Sequence, residues 1–168
     1  MGADIHAIIE VQENGPNGQH WWRGFAYVNW ARCRSVFHAL GVHGNNEHVP
    51  QRGFPVDASQ FAIEEYSMTI SKDGSLDARV HDYPEVEESA ALELVESGES
   101  VFLEINPPAI SKPGWESPNW VTLAELRDCE SKFPEEFARL EEYQATRCVL
   151  DFYMSRDYTV RLVYWFDV

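Results

Sequence analysis

Asp4 and His6 stand two residues apart in the opening stretch Asp4-Ile5-His6-Ala7-Ile8-Ile9-Glu10-Val11. In a strand that spacing puts both side chains on one face, roughly 7 Å apart along the chain. A carboxylate beside an imidazole is the material for general acid–base chemistry, with His6 as base and Asp4 orienting it, or for two ligands of a divalent metal. A metal needs three or four converging ligands, and no HxH, HExxH or CxxC spacing accompanies this pair. No cofactor is therefore expected, and a metal at Asp4-x-His6 is only an alternative. Gly-rich phosphate loops and the nucleophile elbow are also missing.

Arginine supplies a second kind of chemistry. Arg32, Arg34 and Arg52 flank a helix and a loop, and the guanidinium fork suits phosphate or carboxylate. Gly53 beside Arg52 permits close backbone approach, and Trp30, Phe54 and Trp120 are aromatic neighbours that could stack a base. The bland reading of each arginine is a surface ion pair in an acidic chain.

These residues need elements to hold them. Ile5, Ala7, Ile9 and Val11 alternate with Asp4, His6, Ile8 and Glu10, which is strand periodicity. The turn Asn14-Gly15-Pro16-Asn17-Gly18 leads into an aromatic strand, His20 to Trp30, so a hairpin is expected. Ala31 to Val42 reads as a helix ending near Gly41, and Gly44 to Pro55 as a loop. Asp57 is the expected N-cap of a helix through about Tyr66, and Ser67 to Val80 reads as a hairpin about Lys72-Asp73-Gly74-Ser75. Tyr83 to Ser97 reads as an acidic helix with Ala90, Leu92, Leu94 and Val95 inward. Val101 to Ile105 follows as a short strand and Ser111 to Asn119 as a loop. Thr122 with Glu125 forms a capping box, and Pro134 opens a helix reaching about Met154.

The chain closes on a convincing strand, Thr159 to Val168. Its residues Thr159, Arg161, Val163, Trp165 and Asp167 share one face. Strands at both ends with helices between imply an α+β fold: one domain, 1–168, with a mixed or antiparallel sheet that includes both terminal strands and packs against several helices. Were those strands neighbours, Asp4, His6, Arg161, Trp165 and Asp167 would gather on one face.

Composition narrows the partners. The 44% apolar content marks a globular chain, and the net charge of −15 argues against a nucleic-acid polymer. Asp82, Glu85, Glu87, Glu88, Glu93, Glu96, Glu99 and Glu104 form an acidic run uninterrupted by Lys or Arg. Cys33, Cys129 and Cys148 make neither a disulfide framework nor a zinc motif. Without a signal peptide or an apolar run of membrane-spanning length, a soluble cytoplasmic protein is expected, with no membrane partner.

Ordered segments across nearly the whole chain carry a resemblance to a family of small phage and prophage proteins of unassigned activity. Met1-Gly2-Ala3-Asp4-Ile5-His6 resembles the family's MGCDIH opening, and Arg32 to Leu40 its RNYDLFAIL segment. Arg52-Gly53-Phe54-Pro55-Val56-Asp57-Ala58-Ser59 resembles its RGLPxDxS segment. Trp120 to Leu126, with Val163 to Asp167, resembles SWLTLAEL and RxVFWFDN. The family's third-position cysteine is Ala3 here, which removes thiol chemistry at that point. Histidines that often precede SWLTL are replaced by Glu116-Ser117-Pro118-Asn119, and Ser35 stands in place of an aspartate. The stretch from about 68 to 104 has no recognised counterpart and is expected to be an insertion.

That resemblance implies a phage context, the host cytoplasm as the place of action, and a role against host defence. The leading expectation is a protein that sequesters a small phosphorylated or nucleotide-like molecule, with Asp4, His6, Arg32, Arg52, Gly53, Trp120, Arg161, Trp165 and Asp167 as binding residues. One alternative is an Asp4/His6 hydrolase of a nucleotide-like substrate, with or without a metal. Another is an acidic protein–protein inhibitor or DNA-like decoy built on the 82–104 run. Assembly into a homo-oligomer is left open.

Overall fold

A computed structural model describes residues 4–30, 33–42, 48–71 and 84–167. The N-terminal strand β1 (Asp4–Asn14) and β2 (His20–Trp30) form the expected hairpin through a single 3-10 turn at Pro16–Gly18. The closing strand β8 (Val160–Asp167) pairs antiparallel with β1, and β7 (Trp115–Thr122) pairs with β8. The sheet order is β2-β1-β8-β7, which makes the two terminal strands its centre.

A second four-stranded sheet has the order β4-β3-β6-β5. Its strands are β3 (Ser67–Ser71), β4 (Glu85–Glu87), β5 (Phe102–Leu103) and β6 (Ala109–Ser111), with β3 and β4 parallel and the other pairs antiparallel. The helices are α1 (Arg34–Leu40), α2 (Gln60–Tyr66), α3 (Glu88–Glu96), α4 (Leu123–Lys132), α5 (Pro134–Ala138) and α6 (Glu141–Met154). This is an α+β fold.

Each face of the first sheet is covered by a different layer. Ile5, Ala7, Ile9 and Val11 of β1, with Leu162, Tyr164 and Phe166 of β8, meet side chains of α1, α4, α5 and α6 in the larger core. The opposite face carries Ile8 and Trp165, packed against Ala62 and Tyr66 of α2 together with Phe54 and Trp115. Gly24 of β2 lets α2 close down: a Cβ there would lie 2.7 Å from Phe61. Thus Asp4, His6, Ile8 and Glu10 face a second protein layer, and His6 and Glu10 are buried.

Several local expectations need correction. Ser59, not Asp57, caps α2 by accepting the Ala62 N–H at 3.2 Å. The stretch Ser111 to Asn119 is mostly strand, because an irregularity between Glu116 and Asn119, with Ser117 at φ 48°, accommodates Pro118 within β7. The helix from Pro134 breaks into α5 and α6, with Leu140 extended between them at ψ 101°. The acidic helix begins only at Glu88, after β4, and Ala91 is its buried residue while Leu92 is exposed. The helix expected over 31–42 spans Arg34–Leu40, ending at Gly41 in the left-handed region with φ 88°. β3 pairs with β4 and β6, and the turn expected at 72–75 lies outside the described residues.

Candidate functional site

The β1/β8 register aligns Asp4 with Asp167, His6 with Trp165 and Glu10 with Arg161. Glu10 lies four positions beyond His6, about 13 Å along an extended strand. The polar face therefore resolves into two clusters.

At one end, the Asp4 backbone N–H donates to Asp167 Oδ1 at 2.5 Å. His6 Nδ1 makes a short contact with the Tyr27 hydroxyl, while Nε2 lies 3.4 Å from Asp167 Oδ2. That second contact lacks hydrogen-bonding geometry, so the buried Nε2 has no hydrogen-bond partner. The ring stacks near Trp115 at 5.3 Å and Trp165 at 6.1 Å between centroids. Burial, aided by the negative charges of Glu65, Asp167 and Asp4, raises the Tyr27 pKa and keeps its phenol protonated. Asp4, His6 and Asp167 are thus brought together with Trp165, whose indole is fully buried.

At the other end, the two described candidate arginines, Arg52 and Arg161, are already occupied. Arg161 Nε donates to Glu10 at 2.6 Å and Nη1 to Asp57 at 2.8 Å. The second Glu10 oxygen accepts the Ser59 N–H at 2.6 Å, which ties the start of α2 to the sheet. Arg52 holds Glu125 with both terminal nitrogens, and its Nη1 also donates to the Trp120 carbonyl at 3.0 Å. Its backbone N–H donates to Asn119 Oδ1 at 3.0 Å.

The guanidinium groups alternate with indoles. Arg161 lies 4.0 Å from the Trp22 ring and 5.3 Å from Trp120, and Arg52 lies 4.3 Å from Trp120. Burial pushes the Asp57 pKa up, but hydrogen bonding and charge from Arg161, with the Trp22 N–H, leave it lowered. The Arg52 hydrogen bonds hold Glu125 below the usual carboxylate range, against its partial burial. Gly53 adopts φ 73° with open space where a Cβ would stand, so backbone conformation accounts for glycine there. Arg32 lies outside the described residues.

Between the second sheet and the turn into β7 lies a cleft of about 700 Å³. Its walls include Tyr66, Glu99, Ser100, Ser111, Trp115 and Glu116. The Tyr66 hydroxyl and Ser100 Oγ are withdrawn from solvent behind this wall, with Ser111 close to the Tyr66 hydroxyl. Burial holds the Tyr66 phenol strongly in its protonated form. Trp115 joins the cleft to the His6 cluster, contacting His6, Trp165 and Tyr66 within 6.1 Å between centroids.

Sequence reasoning overlooked Tyr27, Tyr66, Ser100 and Trp115 as site residues, and Glu10 as the partner of Arg161. Only Glu10 carried a signal, since it shares the Asp4/His6 face. Among the described residues no group of three or more His, Cys, Asp or Glu side chains could hold a metal. The seven described carboxylates of the acidic run, Glu85 to Glu104, are exposed, and Asp82 lies outside the described residues. No described helix is long and apolar enough to cross a membrane.

Fold and site together define an α+β chain with a cleft beside a His6–Tyr27–Asp167 cluster in which His6 is buried. The chain matches no family model, no curated protein and no solved structure.

Proposed function

We propose that this chain binds and holds a small nucleotide-like molecule in the cleft beside Trp115. One observation carries the reading: a cavity of about 700 Å³ opens beside Trp115, lined by that residue together with Tyr66, Glu99, Ser100 and Ser111. The volume suits a small molecule, and the mixture of aromatic walls with a few polar atoms is that of a ligand site. Since Arg52 and Arg161 are occupied by carboxylates, support falls on the base-like part of the ligand rather than on its phosphate. In the phage context implied by the sequence resemblance, such a protein would withdraw a host signalling nucleotide.

The test is native mass spectrometry of the chain purified from cells, followed by incubation with a nucleotide panel, denaturation and chromatography. Intact ligand recovered in stoichiometric amount is the expected result. Failure of every nucleoside and nucleotide to bind would refute the reading.

A second reading, hydrolysis of the same class of molecule, draws on His6. Its Nδ1 meets the Tyr27 hydroxyl and its Nε2 lies 3.4 Å from Asp167 Oδ2, which sets an imidazole between a phenol and a carboxylate. Cleaved product that disappears in His6→Ala would favour this reading. Intact ligand with the unaltered chain would exclude it for the panel tested.

A further inference from the structure

We infer that the chain pairs with a second copy of itself through the outer edge of β2, extending the first sheet across a two-fold axis. This goes beyond the binding role proposed above and does not depend on it. β2 is an edge strand of the order β2-β1-β8-β7, and among the described residues β1 is its only strand partner. An edge strand offers a row of backbone N–H and C=O groups to any strand that meets it, and proteins blunt such edges with shortness, Lys, Pro or bulges. β2 runs for eleven residues, His20–Trp30, with no Lys and no Pro. Its one irregularity skips Phe25 between Gly24 and Ala26, which leaves His20–Gly24 as a regular half.

The side chains beside this edge are those of an interface. Trp21, Phe25, Phe152 and Tyr158 are 50%, 44%, 50% and 39% exposed. Tyr153 of α6 joins three of them, its ring centroid 5.0 Å from Phe25, 5.4 Å from Phe152 and 5.6 Å from Tyr158. Arg23 lies 5.9 Å over Phe25, and Arg156 4.5 Å over Phe152. Aromatic and Arg side chains are the types enriched where proteins meet. Four aromatic side chains of roughly 150–250 Å² each, about half exposed, offer about 300–450 Å². A standard interface takes about 800 Å² from each partner, little more than half of it apolar. The patch supplies most of that apolar share.

Charge and symmetry fit a second copy. Two chains of net charge −15 repel wherever carboxylate faces carboxylate, and β2 has no Asp or Glu along its length. Antiparallel pairing of the two β2 strands centred on Trp22 sets Trp21 of each copy opposite Arg23 of the other, a cation–π pair made twice. The two-fold axis then runs normal to the joined sheet. Both α6 ends lie on the same side of it, with Phe152 and Tyr158 of each copy turned toward the junction.

Sedimentation equilibrium of the full chain over a concentration series tests the pairing. The expected mass at the upper end is twice the 19.3 kDa of one chain. Trp21→Lys should weaken dimerisation by about thirtyfold or more, the loss expected when an interface anchor is removed. Phe152→Lys, at an exposed position on α6, should weaken it too and serves in place of the first variant should that one not fold. Phe102→Lys, on an exposed residue of the second sheet, should leave it unchanged. Backbone amides of His20–Gly24 should exchange hydrogen more slowly in the unaltered dimer than in a monomeric variant at the same concentration. A mass of one chain at every concentration would overturn the inference. So would a dimer that both β2 and α6 variants leave intact, or equal exchange of the His20–Gly24 amides in dimer and monomer.

Discussion

Glu10 and Arg161 face each other across the central strand pair, and the carboxylate accepts the Arg161 Nε–H at 2.6 Å with both side chains withdrawn from solvent. The charges are buried in a low-dielectric layer, and each relies on the other. Removing one partner leaves an uncompensated charge, which costs roughly 3–5 kcal/mol, whereas replacing both with apolar groups of similar volume is often close to neutral. Arg161→Met and Glu10→Leu alone are each expected to lower stability by about that amount. The double variant should recover much of the loss. Urea denaturation of the four proteins in a double-mutant cycle measures the coupling, and additive losses would show that the pair acts independently.

Acid should weaken the fold through Asp57 and Glu125. Both carboxyls have folded-state pKa values below their ordinary range, Asp57 through Arg161 and Trp22 against its own burial, and Glu125 through Arg52. A carboxyl depressed in the folded state contributes stability above its unfolded pKa and loses it as pH falls through the folded value. Their contribution is therefore present at neutral pH and disappears below the ordinary carboxylate range, about 4. Thermal midpoints measured from pH 7 down to pH 2.5 should fall for the unaltered chain. Asp57→Asn and Glu125→Gln should start lower at neutral pH and fall less steeply. Parallel curves would contradict the assignment.

Tyr66 provides a test of what a buried hydroxyl contributes to the fold. Its ring is fully buried against Phe54 at 4.6 Å and Trp165 at 5.2 Å between centroids, and its hydroxyl has no partner. Tyr66→Phe keeps the packing and removes a desolvated polar atom, so the ligand-free protein should gain roughly 1 kcal/mol. A loss of stability would mean that the hydroxyl serves the fold.

Much of the architecture follows from local pattern. Alternation along β1 and β8 specifies both faces, the Thr122/Glu125 capping box starts α4 as expected, and Gly41 ends α1. The second sheet was much harder to anticipate. Its strands run from two to five residues, too short to display a period. The 68–104 stretch supplies most of β3, all of β4 and β5, and α3. The start of β7 was obscured by Pro113, Gly114 and Pro118, whose turn signals outweighed the strand signal of Trp115 to Asn119.

The sequence by itself determined that Asp4, His6 and Glu10 share one strand face and that Arg161, Trp165 and Asp167 share another, because side-chain direction has a period of two in any strand. Only the tertiary structure decided which of them meet and what surrounds them. Strand register placed His6 beside Trp165 and set Arg161 opposite Glu10, about 13 Å further along. The covering layer then buried that face, saturated Arg161 and Arg52 with carboxylates, and left the hydroxyls of Tyr66 and Ser100 unpartnered at a cleft. Local propensity carries no record of such pairings, since they arise between segments up to 163 residues apart and depend on which surfaces close over one another.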